Sequence, residues 1–513
     1  MVKQVGICRR RRMIKFLTEP YFTERNLSQQ QLQRNATSRK RKLKRKEELT
    51  RIDSGIFTNE QTDINELCDE ILVHILSRMS LKEAARTSVL ARRWRYLWRA
   101  MFGTLQFDSR DVITAAGGVT QVRNFVSWVN NVLELHQGRY IEGMVVIFQG
   151  MTPKQRVMMR RKTNGEIHSW VCFAVRKEVE RLELRLSITH DGYQFPSMET
   201  LRSHCSFPFR LLRSLRLVYI SIEDEVVRYL LGSCPNLKEL CIWSSVATKE
   251  LRVVDPPSLR FLEVKRCPYI EILEISCESL ASLAFVGSEK GVLKKVPNLR
   301  ELTIGSGSFL HFISEPNTSS YSDQLVKLVV DLLIPSSSIQ LARLPDWLPQ
   351  FMSLIRLELL VSSAVDRSLL FFTWMIKAPP HLREFRIEMT YCGFEWPEYG
   401  KRMVFPAMSR EEAVKFDHRN LEVVELWGHV GFSSEKELLL ELLSNASSIK
   451  RIFIDTRSEY YRNPIFVSYL EERGGNPFSY EHDFCAATSR AESKARAKHL
   501  VSALPCHVKL IVS

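Results

Sequence analysis

Three absences narrow what this chain of 513 residues can be. No run of about eighteen apolar residues occurs, which is the length that a membrane-spanning helix needs. The apolar stretch from Met13 to Leu17 is too short for the core of a signal peptide. The chain also lacks the Walker-type phosphate loop, the His-Glu-x-x-His zinc motif, the Gly-x-Ser-x-Gly elbow and the Rossmann glycine pattern. We therefore expect a nuclear or cytoplasmic protein that is not an enzyme of a common class.

The cysteines give no sign of a disulfide framework or a zinc site. There are eleven of them, an odd number, and no Cys-x-x-Cys occurs. A zinc site needs two close ligand pairs, whereas His168 with Cys172 and Cys506 with His507 each lack a second pair. We expect reduced and mostly buried thiols, with no metal and no cofactor.

The net charge of +15 is concentrated at one end of the chain. Residues 1–51 contain sixteen Lys or Arg and four Glu, which leaves only +3 for the other 462 residues. Dense charge of one sign with little apolar surface predicts a disordered tail over residues 1–61. Its second basic cluster is a candidate nuclear-import signal, and the alternatives are a phosphate-contacting arm or a solvated tail. The cluster consists of Arg39, Lys40, Arg41, Lys42, Lys44, Arg45 and Lys46.

Residues 66–98 have the pattern of a small helical docking module. Apolar residues between Ile71 and Met79 recur with a helical period, and Asp69 and Glu70 open that helix with the charge that favours its dipole. Ser80 and Glu83 have the spacing of a capping box, which predicts the start of a second helix. Trp94 and Trp98 lie four residues apart in a third segment. So much apolar surface in about thirty residues predicts a face that the rest of the chain or a partner covers.

This module resembles the F-box, through matches that run in order from Leu67 to Trp98. One position departs from the family pattern, since Cys68 stands where the family usually has proline. The resemblance implies docking onto a Skp-type adaptor and, through it, a cullin. The residues that it implies for adaptor binding are Leu67, Asp69, Glu70, Ile71, Ile75, Leu76, Leu90, Trp94, Leu97 and Trp98. A plain three-helix bundle with a tryptophan core is the alternative.

One pattern then recurs eleven times between Val179 and Ile454: an apolar residue, two spacers, an apolar residue, one spacer and another apolar residue. The intervals between Leu212 and Leu299, which are 19 to 25 residues, are close to those of leucine-rich repeats, and later intervals widen to 26 to 39. Each such unit offers a short strand that neighbours must cover, so we expect a curved solenoid with a parallel sheet on its concave side. The predicted fold class is thus α/β, with a three-helix F-box before the solenoid.

The leucines of these repeats belong to the core, which leaves the spacers and loops for recognition. Strand alternation sends some spacers to the concave surface. The charged spacers that we expect to contact a partner protein are Lys238, Glu239, Glu263, Lys265, Arg300, Glu301, Lys327, Arg356 and Glu358. A solvated face is the alternative for most of them.

Residues 418–457 read as strand, helix and strand, with a second capping box predicted at Ser434 and Glu437. This unit resembles the FBD domain that closes many plant F-box proteins with leucine-rich repeats. The predicted order is F-box at 62–108, a linking region at 109–178, repeats at 179–417, the FBD-like unit at 418–457, and an extension at 458–513 with a helix and a final strand.

Together these resemblances imply the substrate-recognition subunit of a Skp–cullin–F-box ubiquitin ligase, which itself performs no catalysis. The repeats would select an unidentified protein substrate for ubiquitination. The alternatives are a nuclear protein that contacts nucleic acid through its basic tail, and an interaction scaffold outside any ligase. Salt dependence distinguishes the first alternative from the ligase subunit, because binding to nucleic-acid phosphates weakens steeply as salt rises.

Overall fold

The computed structural model describes residues 64–112, 119–148, 153–186, 193–204, 206–287, 291–305, 319–334, 350–363, 366–391, 413, 415–457, 490–500 and 504–513. They form two compact units. The helical unit holds the described residues up to Gly103 together with Leu135–Gly138, and the repeat unit holds Thr104–Glu134 and the described residues from Arg139 to Ser513. The basic tail with its candidate import signal lies outside the described residues.

The helical unit contains three short α-helices: α1 (Asp69–Leu76), α2 (Leu81–Arg86) and α3 (Trp94–Leu97). Turns of 3₁₀ helix at Ile64–Glu66, Thr87–Val89 and Trp98–Ala100 precede, join and follow them. The predicted capping box at the start of α2 is confirmed. Ser80 N and Oγ donate to Glu83 Oε2 over 2.9 and 2.7 Å, and Glu83 N donates to Ser80 Oγ over 3.3 Å.

The segment that ends at Gly103 packs against Ser77 in the helical unit. Ser77 Oγ donates to Val73 O over 2.7 Å and accepts from Phe102 N over 3.0 Å. A Cβ atom on Gly103 would lie only 1.9 Å from Ser77 O, so no other residue fits there without a backbone shift. Ring nitrogen Nε2 of the buried His136 lies 2.7 Å from Met101 O and holds the same segment. The end of the helical unit is therefore fixed by close backbone packing.

The repeat unit is built on one sheet of fourteen parallel strands, the main sheet. Successive repeats lie side by side in it, and its strands are given next in their order across the sheet. Its strands are β1 (Thr104–Asp108), β2 (Gly143–Phe148), β3 (Arg181–Leu186), β5 (Ser214–Val218), β7 (Glu239–Trp243), β9 (Phe261–Lys265), β11 (Ser282–Val286), β13 (Glu301–Gly305), β14 (Lys327–Ile334), β15 (Arg356–Ser363), β16 (Glu384–Tyr391), β17 (Val423–Trp427), β18 (Arg451–Asp455) and β19 (Lys509–Val512).

All eleven predicted repeats supply a strand of the main sheet, from β3 to β18, which confirms the α/β class and the parallel sheet. The predicted final strand is also present as β19. Two strands of the main sheet were not predicted. Residues 104–108, which the sequence pattern placed in the F-box, form β1, and β2 lies in the predicted linking region. Both nevertheless have the spacing of the later repeats, as Phe102-Leu105-Phe107 and Ile141-Met144-Val146 show, so a search for the pattern before Val179 would have found them.

Helices and two small sheets connect the strands. The helices of the repeat unit are α4 (Val119–Leu135), α5 (Pro153–Arg176), α6 (Met198–His204), α7 (Asp224–Ser233), α8 (Ser319–Ser322), α9 (Thr373–Lys377), α10 (Ser433–Asn445) and α11 (Arg490–His499). The small parallel sheets are β4 (Tyr193–Gln194) with β6 (Ile220–Ser221), and β8 (Glu250–Val254), β10 (Ile272–Ser276) and β12 (Gly291–Leu293). Between β7 and β13 the connections are thus mostly extended, because repeats of about twenty residues are too short for a helix in each return.

The core of the repeat unit lies on one side of the main sheet. The recurring apolar residues are almost fully buried, as Leu215, Leu240, Leu262 and Leu357 show with at most 1% of their surface exposed. The strand residues between them lie on the opposite side, which we call the open face. Their burial alternates with that of the leucines in β3 and β17, as strand geometry requires.

The FBD-like unit has the predicted strand, helix and strand, but its helix begins differently. Helix α10 starts at Ser433 after Phe432, which makes no side-chain capping bond. The predicted capping box is therefore wrong: Ser434 Oγ is buried without a hydrogen-bond partner among the described residues, and Glu437 is exposed. Glu435 instead accepts from Gly431 N over 2.9 Å and from Val430 N over 3.4 Å. The carboxylate thus holds the loop before the helix, which the sequence spacing could not show.

The described cysteines are free thiols, and five of the seven are buried. Burial raises the pKa of the Cys234 and Cys267 thiols to about 12, so both stay protonated at neutral pH. Among the described residues no group of three His, Cys, Asp or Glu is placed to hold a metal ion. No described helix is both long enough and apolar enough to span a membrane.

Candidate functional site

The helical unit presents an exposed apolar strip beside its core. On α1, Leu72 and Leu76 are completely buried, whereas Ile71 and Ile75 expose 48% and 37% of their surface. Ile64 is 46% exposed in the turn before α1. Residues 71 and 75 are one helical turn apart and therefore lie on the same face. An eight-residue helix thus has two apolar faces, of which only one is used inside the chain.

The predicted adaptor-binding residues divide into two groups. Leu76, Trp94, Leu97 and Trp98 are buried, at 0%, 2%, 9% and 4% exposure, so they support the unit and offer no free surface. Placing them in a contact surface needs correction, because a tryptophan in so small a unit is its main core residue. The remaining six are exposed or half-buried: Leu67, Asp69, Glu70, Ile71, Ile75 and Leu90.

Polar contacts fix the position of α1 relative to α3. Arg93 Nε lies 2.5 Å from Asp69 Oδ1, and Arg93 Nη1 donates to Asn65 O over 2.8 Å. Trp94 Nε1 donates to Asn65 Oδ1 over 2.9 Å, which satisfies the indole of the buried ring. Asp69 therefore pairs within the unit. These contacts hold the exposed isoleucines on a preorganised surface.

Cys68 is the N-cap of α1 and precedes the first helical residue, Asp69. Its φ of −66° is the angle that a proline adopts, and its side chain makes no capping hydrogen bond. At the start of the helix, the Glu70 carboxylate accepts hydrogen bonds from the backbone of Glu70 and from the side chain of Cys68. These bonds lower the pKa of the Glu70 carboxyl. The backbone at Cys68 is thus compatible with proline.

The open face of the main sheet carries a network of charges. Arg356 is its centre in the later repeats: Nε lies 2.5 Å from Glu358, Nη1 2.6 Å from Glu384 and Nη2 3.7 Å from Glu425. Lys327 lies 3.0 Å from Glu358 on the other side. Burial alone would raise the pKa of Glu358, but the hydrogen bonds from Lys327 and Arg356 outweigh it and the pKa is lowered.

A second network lies in the earlier repeats, around Glu263. Lys265 Nζ is 2.6 Å and Arg216 Nη1 is 3.6 Å from the Glu263 carboxylate. Cys241 Sγ donates to Glu263 Oε2 over 3.4 Å. Although Glu263 is only 6% exposed, each of its oxygens has a partner. Its charge is therefore compensated inside the sheet face.

Two tryptophans lie among these charges, each next to a cation. The guanidinium of Arg386 is 4.2 Å from the ring centre of Trp427, and Nζ of Lys265 is 5.2 Å from that of Trp243. Arg386 Nη2 also donates to Glu388 over 2.9 Å. The aromatic and charged side chains together form a mixed surface, which suits a protein partner better than a partner that offers only charges.

The structure places the predicted spacers in two settings. Glu239, Glu263, Lys265, Glu301, Lys327, Arg356 and Glu358 lie in main-sheet strands at open-face positions. Lys238 and Arg300 lie one residue before their strands, fully at the surface. Trp243, Arg386, Glu388 and Trp427 were missed. Arg386 is the spacer between the second and third apolar residues of its repeat, and the other three directly follow the third apolar residue, so the same alternation would have found all four.

A buried polar cluster anchors the FBD-like unit. His429 Nδ1 lies 2.6 Å from Glu435 Oε2, and Tyr391 Oη donates to Glu435 Oε1 over 2.6 Å. The three side chains are between 2% and 4% exposed. Ser493 Oγ of α11 donates to Val430 O over 3.4 Å in the same region. Glu435 thus joins β16, α10 and the loop between β17 and α10.

Comparison with known proteins agrees with this architecture of a helical docking unit followed by repeats. Residues 150–513 match the family described as the At1g61320/AtMIF1 LRR domain, and residues 64–102 match the F-box domain. The chain belongs to this leucine-rich-repeat family and carries an F-box before the repeats.

Its relatives include three proteins of Arabidopsis thaliana. The chain is 30% identical to F-box protein At1g80960 over 44% of this chain and 49% of the relative. It is 28% identical to F-box/LRR-repeat protein At3g03360 over 44% of this chain and 48% of the relative. The chain thus spans about half the length of these two curated relatives. Probable FBD-associated F-box protein At1g32375 is 22% identical over 77% of this chain and 93% of its own length.

Proposed function

We propose that this protein is the substrate-recognition subunit of a Skp–cullin–F-box ubiquitin ligase. The helical unit would dock the Skp-type adaptor, and the open face of the main sheet would hold the protein to be ubiquitinated. Its own contribution is proximity and orientation, while other subunits perform the covalent chemistry. The observation that carries this proposal is the exposed strip around Ile71 and Ile75 in a unit that matches the F-box.

The strip has the properties of an interface centre. Each isoleucine would lose further apolar surface on docking, which is worth about 25 cal/mol for each Å² removed from water. Val89 and Leu90, which are 71% and 65% exposed, add apolar surface after α2. Asp69 keeps its partner Arg93 in the free protein, so docking would not require a new partner for that charge. Few charges would be desolvated, and the contact should depend little on salt.

The proposal is tested by replacing both Ile71 and Ile75 with alanine in the full chain. We expect adaptor pull-down to fall at least tenfold, since about 1.4 kcal/mol of lost binding suffices for that factor. The matched control replaces Val254 and Tyr269, which are exposed apolar residues of the repeat unit at 66% and 58%. Undiminished adaptor recovery by the isoleucine variant, with the fold intact, would disprove the docking surface.

We also propose that the basic cluster between Arg39 and Lys46 directs the protein to the nucleus. The density of its charge supports this, because short basic runs are the form that import signals take. Changing its seven basic residues to glutamine should move a fluorescent fusion towards the cytoplasm and leave adaptor binding intact. An unchanged distribution of the fusion would show that the cluster is part of a solvated tail and is not an import signal.

A further inference from the structure

A continuous row of residues runs along the edge of the main sheet where its strands begin. The row, which we call the basic row, is held by backbone hydrogen bonds of 2.8 to 2.9 Å, each from the N–H of one member to the carbonyl of the previous one. It crosses eight neighbouring strands from β5 to β16. Its members are Arg213, Lys238, Arg260, Ala281, Arg300, Val326, Ile355 and Arg383.

The same ladder continues to Glu180 before Arg213 and to Glu422 after Arg383, and between these two glutamates the basic row contains five cations and no anion. All five cationic residues are exposed. Arg213 lies 3.2 Å from Glu180, the acidic residue at one end of the row. The other four form no ion pair with any described residue. This differs from the open face, where nearly every central charge has a partner, as Glu263 and Glu358 do. The charges of these four are therefore not neutralised by a described carboxylate, although Arg300 Nη1 donates a hydrogen bond to Gln324 O over 3.4 Å.

The neighbouring residues restrict what that group can be. The next row on the open face includes Glu239, Glu301 and Glu384, which repel any anion placed over them. The basic row therefore suits separate anionic groups that lie over the row alone better than a continuous polyanion such as a nucleic acid. Ile355 within the basic row is 40% exposed, and Leu211 beside Arg213 is 38% exposed. A surface of cations with a few exposed apolar side chains beside them complements a polypeptide that carries both acidic and apolar residues.

We propose that the basic row binds an acidic, extended segment of a protein substrate, which lies across the strands. Strands are about 4.8 Å apart, so the row is about 34 Å long. An extended chain covers that distance with about ten residues. The proposal rests on the function proposed above, since it states the chemistry of the substrate. It also adds Arg213, Arg260 and Arg383, which the sequence pattern did not single out, to Lys238 and Arg300.

The experiment uses the full chain and a fluorescent twelve-residue peptide of alternating glutamate and leucine, which also carries a photo-crosslinking group. The row variant combines Lys238→Glu, Arg260→Glu and Arg300→Glu. The matched control combines Arg123→Glu, Lys436→Glu and Lys498→Glu, three exposed bases on α4, α10 and α11, so both variants have the same net charge. We expect the row variant to bind the peptide at least tenfold more weakly, with the control within twofold of the parent.

Mapping the crosslinks separates the basic row from the basic tail, because both attract acidic peptides. Crosslinks within the strand starts from β5 to β16 support the proposal, and crosslinks confined to residues 1–51 overturn it. Equal weakening by the two triple variants overturns it as well. A peptide with glutamine for glutamate should bind at least tenfold more weakly than the acidic one, and equal binding would contradict a charge-based site.

Two further measurements complete the design. A single-stranded oligonucleotide of equal charge and the unlabelled acidic peptide are compared as competitors of the fluorescent peptide. If the oligonucleotide displaces it at the lower concentration, the row binds nucleic acid and the proposal is refuted. Adaptor pull-down by the row variant should stay unchanged. Loss of peptide binding with adaptor binding retained concerns the row alone, whereas a failure of the proposed function appears as adaptor binding that is absent from the parent chain. The variants Lys238→Gln, Arg260→Gln and Arg300→Gln repeat the test if the charge reversals unfold the protein.

Discussion

The helical unit and the repeat unit treat their apolar residues differently. Helix α1 leaves Ile71 and Ile75 at 48% and 37% exposure, while Leu72 and Leu76 beside them are fully buried. In the repeat unit the corresponding leucines, such as Leu240 and Leu262, are buried completely, and the exposed strand positions hold mostly charged residues. Each repeat is covered by its neighbours. A unit of about forty residues has no neighbours of its own kind, so it keeps apolar surface for a partner.

The largest effect should come from the buried carboxylate of the FBD-like unit. Replacing Glu435 by alanine leaves His429, Tyr391 Oη and two backbone N–H groups without their partner. We expect a loss of about 3 to 5 kcal/mol in the free energy of unfolding, measured with urea. Glu437, which is exposed on the same helix, is the control and should change stability by less than about 0.5 kcal/mol when replaced by alanine. Similar losses in both variants would contradict the role of the cluster.

A repeat leucine tests how tightly the stacked core is packed. Leu240→Ala should lower the free energy of unfolding by about 2 to 5 kcal/mol, because the side chain is fully buried between neighbouring repeats. Lys238→Ala, two residues earlier and exposed, should cost less than about 0.5 kcal/mol. If Leu240→Ala costs no more than Lys238→Ala, the repeats do not share a packed core at that position.

The two predicted capping boxes allow a direct comparison between the units. Ser80→Ala removes the cap of α2 in the helical unit and should cost about 0.5 to 2 kcal/mol. Ser434→Ala removes a buried hydroxyl without a hydrogen-bond partner among the described residues, so it should leave stability unchanged or raise it slightly. Thermal unfolding of the two variants measures this difference. A larger loss for Ser434→Ala would show that α10 is capped by its serine after all.

The smallest effect is expected at Cys68. Its φ of −66° accepts proline, so Cys68→Pro should stabilise the helical unit by about 0.4 to 1 kcal/mol through a less flexible unfolded chain. Cys68→Ala, which changes the side chain without fixing φ, is the matched control. A rise in melting temperature for proline alone is the expected result. A fall would mean that the turn before α1 is incompatible with proline.

The repeats were predicted well because their pattern is local. Strand alternation and a leucine every two or three positions identify the eleven main-sheet strands from β3 to β18 without information from the rest of the chain. The same periodicity could not separate Ile71 from Leu72, or Trp94 from a surface tryptophan. Both members of each pair fit an apolar helix, and only packing decides which side faces the core. Four of the ten residues expected in the docking surface are therefore core residues.

What the sequence by itself determined is the order of the parts: an F-box and then eleven repeats with charged spacers, of which the last two form the closing strand, helix and strand. Tertiary structure alone decided which groups meet across distant repeats. Tyr391 contacts Glu435 across 44 residues. The cations of the basic row come from strands that lie side by side, although Arg213 and Arg383 are 170 positions apart in the printed sequence. Such pairs depend on the register of a parallel sheet, which is a property of neighbouring strands and is not encoded within any single repeat.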